Sequence, residues 1–152
     1  MSVQDMNLRR AEAADAPAVR ALTRQAYAKW VPLIGREPKP MQADYDEAVQ
    51  KHRIDLLHVD GTLAALIETI DAPDHLLIEN VAVSPDFQKR GLGAKLMAHA
   101  EALAASMRYK EIRLYTNKLF AENVALYLKL GYQVDREEVI PAGTVVHMSK
   151  PI

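Results

Sequence analysis

Two periods of apolar residues run through this chain. Val19, Leu22, Ala26 and Trp30 recur at helical spacing behind Asp15, a capping residue type, and Pro17, whose missing N–H costs little in a first turn. The same period returns over Gly91–Met107, with Leu92, Leu96, Ala100 and Leu103 on one side, and over Phe120–Leu130, closed by Gly131. A shorter helix is predicted over Asp44–Lys51, after a stretch, Val31–Pro40, that Pro32, Gly35, Pro38 and Pro40 make irregular. Strand-like runs fill the remainder. Asn7–Glu12 is a short first strand, and Ile54–Val59 and Thr62–Ile70 flank Asp60-Gly61, a two-residue hairpin signal. His75–Val83 is an apolar strand that carries Glu79 and Asn80 inside it, and Ser84–Arg90 is a polar loop. Glu111–Thr116 is the next strand, and Tyr132–Ile140 and Thr144–Ser149 close the chain around Pro141-Ala142-Gly143. The order β-α-α-β-β-β-α-β-α-β-β predicts an α/β (α+β) fold: a mixed sheet with helices on its faces, hairpins in front and a βαβ-type crossover in the middle.

Length and charge narrow the function. The 152 residues, 49% of them hydrophobic, predict a single domain over 1–152 that folds without a staple. The absence of cysteine excludes a disulfide framework, a thiolate nucleophile and cysteine-based zinc, and points to a reducing, cytoplasmic setting. The 19 Lys and Arg against 20 Asp and Glu remove the electrostatic case for a nucleic-acid partner. No apolar run approaches the roughly 20 residues that span a bilayer, so no membrane partner is expected. The 5 scattered histidines carry no metal signal.

The chemistry concentrates after the fourth predicted strand. There Gln88-x-x-Gly91-x-Gly93 opens a long helix, whose first N–H groups lack intrahelical partners and whose dipole favours an anion. Gly91 and Gly93 let an anionic group approach the backbone, and Lys89 and Arg90 add positive charge. A packing role for the two glycines is the competing reading. The phosphate loop G-x-x-x-x-G-K-[ST] and the dinucleotide pattern G-x-G-x-x-G are both absent, which leaves a diphosphate ligand of another kind.

The segment Glu79–Met97 (ENVAVSPDFQKRGLGAKLM) resembles the central acetyl-CoA motif of the GNAT (general N-acetyltransferase) superfamily, [Q/R]-x-x-G-x-[G/A] after a V-A-V-type strand. Asn123–Tyr132 (NVALYLKLGY) resembles its second signature, A-x-x-L-Y-x-x-x-G-[F/Y]. The resemblance implies the GNAT fold: a mostly antiparallel sheet of six or seven strands flanked by about four helices. It implies acetyl-CoA as co-substrate, no metal, and backbone N–H groups of Lys89, Arg90, Gly91, Leu92, Gly93 and Ala94, with Gln88, around the CoA pyrophosphate. Main-chain groups of Val81 and Val83 would pair with the pantetheine arm, and Tyr127 would protonate the departing thiolate. Asn123 departs from the family, which usually has a small residue there; it either contacts the pantetheine amide or stabilises the start of its helix.

Acetyl transfer to an amine requires a fixed donor, a polarised carbonyl, a neutral amine and a proton for the thiolate. Glu79 is the candidate general base, because alternation puts residues 77, 79, 81 and 83 on one face beside the donor strand, with Asn80 on the other. A structural ion pair with Arg113 or Lys110 is the alternative. For the acceptor, Trp30, Arg36 and Tyr45 in the segment between the first two helices are candidate walls, suited to a small ligand with an apolar body and a carboxylate or to a peptide backbone. The expected function is direct acetyl transfer to a primary amine of a small molecule or peptide. The competing reading is an acyl-CoA-binding sensor or partner module without turnover. The resemblance also admits a homodimer.

Overall fold

Asp60 and Gly61 both take positive φ, 50° and 83°, the geometry that a tight two-residue hairpin demands. They join β2 (Arg53–Val59) to β3 (Thr62–Asp71) in the computed structural model, which describes residues 5–152. With β1 (Met6–Arg10), β4 (Leu76–Val83), β5 (Glu111–Asn117), β6 (Gln133–Ile140) and β7 (Gly143–Pro151) they form one seven-stranded sheet in the order β1-β2-β3-β4-β5-β7-β6. All neighbours are antiparallel except β4 and β5, which the crossover through a helix makes parallel. The mixed sheet expected from the element order is therefore present.

Among the described residues, four helices of seven or more residues flank it: α1 (Ala16–Tyr27), α4 (Tyr45–Lys51), α5 (Leu92–Ser106) and α6 (Ala121–Lys129). The stretch expected to be irregular instead holds two single turns of helix, α2 (Val31–Ile34) and α3 (Lys39–Gln42). Pro32 and Pro40 sit in their first turns, where an N–H has no partner to lose, and Gly35 at φ 74° stops α2. A second correction concerns Asp15. Its carboxylate turns back to accept the Glu12 N–H at 2.8 Å and the Arg9 guanidinium at 2.8 Å, instead of capping α1.

Side chains on the two faces build two cores. Leu57, Ile78, Leu96, Met97, Ile112 and Met148 pack between the sheet and α5 and α6, while Val19, Leu22, Tyr45, Ile54, Leu56 and Leu66 pack under α1 and α4. Each fully buried Leu or Ile contributes about 1.5–3 kcal/mol to holding its helix down.

Two irregularities in β4 position the site. Its pairing with β5 covers only Leu76, Leu77 and Ile78, so the two parallel strands splay from Glu79 onward. Opposite β3, Asn80 pairs with Glu68 and Ile78 with Thr69, so Glu79 is the extra residue of a bulge. The extra residue resets the alternation. Leu76, Ile78, Val81 and Val83 pack on the α5 side, whereas Asn80 reaches α1 and α4, and Glu79 reaches Tyr115 and α3. The expected single face of 77, 79, 81 and 83 is thus broken. Glu79 and Asn80 look into one cavity instead of opposite ones.

Candidate active site

The loop after β4 has the curvature of an anion nest. Lys89 and Gly91 take positive φ, 64° and 77°, on either side of Arg90, so consecutive N–H groups converge. α5 begins at once after Gly91, and its first intrahelical bond runs from the Lys95 N–H to the Gly91 carbonyl. The N–H groups of Leu92, Gly93 and Ala94 are therefore the helix's unpaired first turn. A Cβ on Gly91 would meet nothing within 4 Å, so the space above it is open. A Cβ on Gly93 would lie 3.6 Å from Leu126 of α6, an ordinary contact, so Gly93 also serves the helix packing that was its competing reading. Leu92 buries its side chain in the core and offers only its backbone. Arg90 lies over the Phe87 ring at 5.1 Å. Lys89, Gly91 and Arg90 are exposed, as an ion-holding loop requires.

Upstream, the splayed edge of β4 offers main-chain groups. The Ser84 N–H bonds back to Ala64 of β3, so by alternation Val81 and Val83 direct their N–H and C=O groups away from β3 and into the splay. Side chains meet two of these carbonyls. The Tyr27 hydroxyl donates to the Val81 carbonyl at 3.2 Å, and the Gln88 amide donates to the Val83 carbonyl at 3.1 Å. Gln88 thus braces the strand instead of standing free over the nest. Residues that would fill a long acyl thioester's needs, a cradle and an open strand edge, fit in sequence along one path.

Tyr127 of α6 is 9% exposed and sits edge-on to Tyr132 at 6.1 Å. Burial alone pushes its hydroxyl up to about 12, so it holds its proton at neutral pH. Asn123 lies one turn earlier on the same helix, half-buried. It is no cap: Phe120 holds that position, and no side chain caps the helix.

A cavity of about 740 Å³ lies between α1–α4 and the splayed strands, where an acceptor was expected. Glu79 lies in it as the apex of a polar triad. The Tyr115 hydroxyl donates to Glu79 Oε1 at 2.7 Å, and Lys39 of α3 donates to the Tyr115 oxygen at 2.9 Å and stands 3.5 Å from Glu79. Of the expected alternative partners, Arg113 is engaged elsewhere, paired with Glu111 and Asp74. Burial, and donation to the Glu79 carboxylate, push Tyr115 up to about 12. Deeper in, Glu68 is 3% exposed, raised by burial and opposed by His52, whose Nδ1 lies at 2.6 Å. His147 lines the cavity and meets Glu138 at 2.9 Å.

The three expected acceptor walls fare differently. Arg36 lines the cavity and ties its rim to the last hairpin through the Ala142 carbonyl at 2.9 Å. Tyr45 is only 1% exposed; its hydroxyl donates to Pro40 at 2.6 Å and accepts from Asn80 at 3.3 Å, so it is the floor and not a free wall. Trp30 stands outside the cavity lining, stacked on Phe120 at 4.6 Å beneath Lys29, where it covers the start of α6. Tyr115, Lys39 and Glu68 were not singled out from the sequence. Tyr115 had a signal, alternating with Ile112 and Leu114 on β5; Lys39 had none, because its reach depends on how α3 docks.

Comparison with known proteins gives the family and the fold. The family model described as "Acetyltransferase (GNAT) family" matches residues 18–132. A "[Ribosomal protein bS18]-alanine N-acetyltransferase" of Salmonella typhimurium is 34% identical over 76 residues, covering 50% of this chain and 51% of that protein. An "N-alpha-acetyltransferase 80" of Mus musculus is 34% identical over 71 residues, 47% of this chain and 21% of that protein. The chain therefore spans about half the length, or less, of these curated relatives. Among solved structures, a PaiA N-acetyltransferase from Thermoplasma acidophilum in complex with coenzyme A superposes with a TM-score of 0.81 at 16% identity, over 97% of this chain and 99% of that one. With the family model spanning both the strand–nest–helix turn and the Tyr127 helix, the chain belongs to the acetyltransferase (GNAT) family of enzymes.

Proposed function

We propose that this chain transfers the acetyl group of acetyl-CoA directly to a primary amine that enters the cavity around Glu79. The observation that carries this reading is the loss of β4–β5 pairing after Ile78, which frees the Val81 and Val83 main chain immediately upstream of the Lys89–Gly91 nest. Bound acetyl-CoA would supply an activated thioester carbonyl. The chain's own residues supply the rest. The nest and the first-turn amides of α5 bind the diphosphate, with Lys89 and Arg90 beside it. The main chain of Val81 and Val83 fixes the pantetheine arm and polarises the carbonyl. Glu79 takes a proton from the incoming ammonium, directly or through water, and Tyr127 gives one to the leaving sulfur. Asn123, on the Tyr127 face of α6, steadies the arm near the thioester.

The acceptor reading rests on the cavity. Its carboxylates Glu79 and Glu68 suit an ammonium, and Arg36 at the rim suits a carboxylate or a peptide carbonyl. The relatives named for alanine and N-alpha acetylation put a peptide α-amine first among candidates, ahead of a small-molecule amine. A cytoplasmic enzyme is the natural setting for acetyl-CoA. A homodimer, if formed, would use the free edge of β6, where Val134 and Val139 are exposed.

The test is thiol release from acetyl-CoA over a panel of peptide and small amines, with calorimetry of CoA binding. Binding together with release that depends on one amine class supports the proposal. Binding without any acetylated amine supports the sensor or partner-module alternative, and absence of binding overturns both.

A further inference from the structure

The amine that stands nearest the candidate base belongs to the chain itself. Lys39 Nζ lies 3.5 Å from Glu79 Oε1 and 2.9 Å from the Tyr115 oxygen, with its cation 5.2 Å over the Tyr115 ring. That is the position an acceptor ammonium must take before it surrenders a proton to Glu79. The backbone that presents it is fixed on several sides. Arg24 donates to the Met41 carbonyl at 3.0 Å and pairs with Glu37 at 2.5 Å, Gln42 donates to the Glu37 carbonyl at 3.0 Å, and the Tyr45 hydroxyl donates to the Pro40 carbonyl at 2.6 Å. Pro38 and Pro40 flank Lys39 and restrict the turn further. Three other lysines are paired away from the cavity's base: Lys51 with Glu47, Lys118 with Glu137 and Lys150 with Glu101.

We propose that Lys39 is an internal acceptor, a self-acetylation site that loads the chain's own cavity wall when no external amine is present. The inference rests on the acetyltransferase reading above, with acetyl-CoA as the named co-reactant. The step balances as follows. The Lys39 ammonium gives a proton to the Glu79 carboxylate, and its neutral Nζ forms a bond to the thioester carbonyl carbon. The nitrogen loses its second proton to solvent as the carbon–sulfur bond breaks, and CoA leaves as the thiol after taking a proton from Tyr127, which regains one from solvent, or from water. Glu79 returns its proton to solvent, so one ammonium and one thioester become one amide, one thiol and one released proton. Amine and base already meet in one cavity, beside the strand proposed to hold the acyl group, which gives this reaction an intramolecular advantage. The product is uncharged, so acetyl-Lys39 releases its hold on Glu79 and leaves that carboxylate free for an external ammonium.

Two measurements on the full chain test this. Trace labelling with acetic anhydride, without CoA, should find Lys39 among the least reactive lysines, because Tyr115 and Glu79 keep it protonated; Glu79→Gln should raise its labelling severalfold. Incubation with acetyl-CoA and no amine, followed by intact mass and peptide mapping, should reverse that order and acetylate Lys39 first. Its rate should be independent of protein concentration, absent in Lys39→Arg and about 100-fold slower in Glu79→Gln. Acetyl-CoA labelling that follows the anhydride order, or that rises with protein concentration, overturns the proposal. So does unmodified Lys39 in a chain that acetylates an external amine, an outcome that leaves the enzyme reading standing. A chain that neither binds acetyl-CoA nor releases thiol fails the enzyme reading and this inference together.

Discussion

Glu79 sits in an apolar strand yet is not isolated: a hydroxyl and an ammonium compete for the oxygen that an acceptor must use. Glu79→Gln keeps the shape and the hydrogen bond from Tyr115 while removing proton acceptance, so kcat should fall about 100-fold and the pH dependence of the rate should change. A rate profile identical to that of the parent chain would remove Glu79 as base. Tyr127 is complementary. With its hydroxyl raised to about 12 by burial, the protonated form persists well above the ordinary phenol value of 10, so Tyr127 should impose no falling limb on the rate through pH 10. Tyr127→Phe should lower kcat about tenfold with little change in CoA affinity, read by steady-state kinetics beside calorimetry. Both residues stood out as candidates in the strand and helix motifs. The company Glu79 keeps was not, because Lys39 approaches from 40 residues away along a segment whose prolines hid two helical turns.

The junctions between elements carry the proposed cofactor contacts and part of the stability. Gly91 takes φ 77° in open space, so a side chain there is strained by the backbone and projects into the space expected to receive the diphosphate. Gly91→Val should weaken CoA binding at least tenfold by calorimetry while costing about 1 kcal/mol of stability by denaturant titration. A larger loss of stability with unchanged affinity would assign Gly91 to the fold alone. At the other end of the sheet, the Arg9 guanidinium and the Glu12 N–H hold the Asp15 carboxyl down to about 2, tying β1 to the entry of α1. A depressed carboxylate adds stability above its unfolded value, near 3.9, and that stability is lost as pH falls toward about 2. Asp15→Asn should therefore destabilise the chain at neutral pH by about 1 kcal/mol and flatten acid unfolding in that window, followed by circular dichroism. Type and place suggested the Asp15 carboxylate as the cap of α1, which it is not. That it caps the preceding turn depends on Arg9 arriving from the adjacent strand.

Across the molecule, the proposed donor and acceptor halves meet at one broken strand pair. Val81 and Val83 turn their side chains to the α5 side and their free main-chain groups into the splay, while Glu79 and Asn80 turn side chains to the α1–α4 side, because the bulge at Glu79 resets the alternation between them. That division predicts separable effects. Substitutions in the nest should change CoA affinity, whereas Arg36→Ala, which cuts the tie to Ala142, should raise KM for a carboxylate-bearing or peptide acceptor severalfold and leave CoA affinity unchanged. A panel of amines assayed with this variant checks the assignment of the rim.

Local chemistry was readable directly from the chain. Asp60-Gly61 demands a hairpin, Gly91 permits a left-handed entry to a helix, apolar periodicity separates strands from helices, and the V-A-V strand, glycine turn and tyrosine helix together carry the family's signature. These features depend on near neighbours, whose steric and hydrogen-bonding rules hold whatever the remainder of the chain does. The acceptor cavity is different. The bulge that turns Glu79 and Asn80 to one side arises from register against β3, the splay from a register with β5 that stops at three pairs, and the Lys39–Tyr115–Glu79 triad from docking of α3 over β5. Each is a contact between segments far apart in sequence, set by how whole elements pack, and no run of residues encodes it locally.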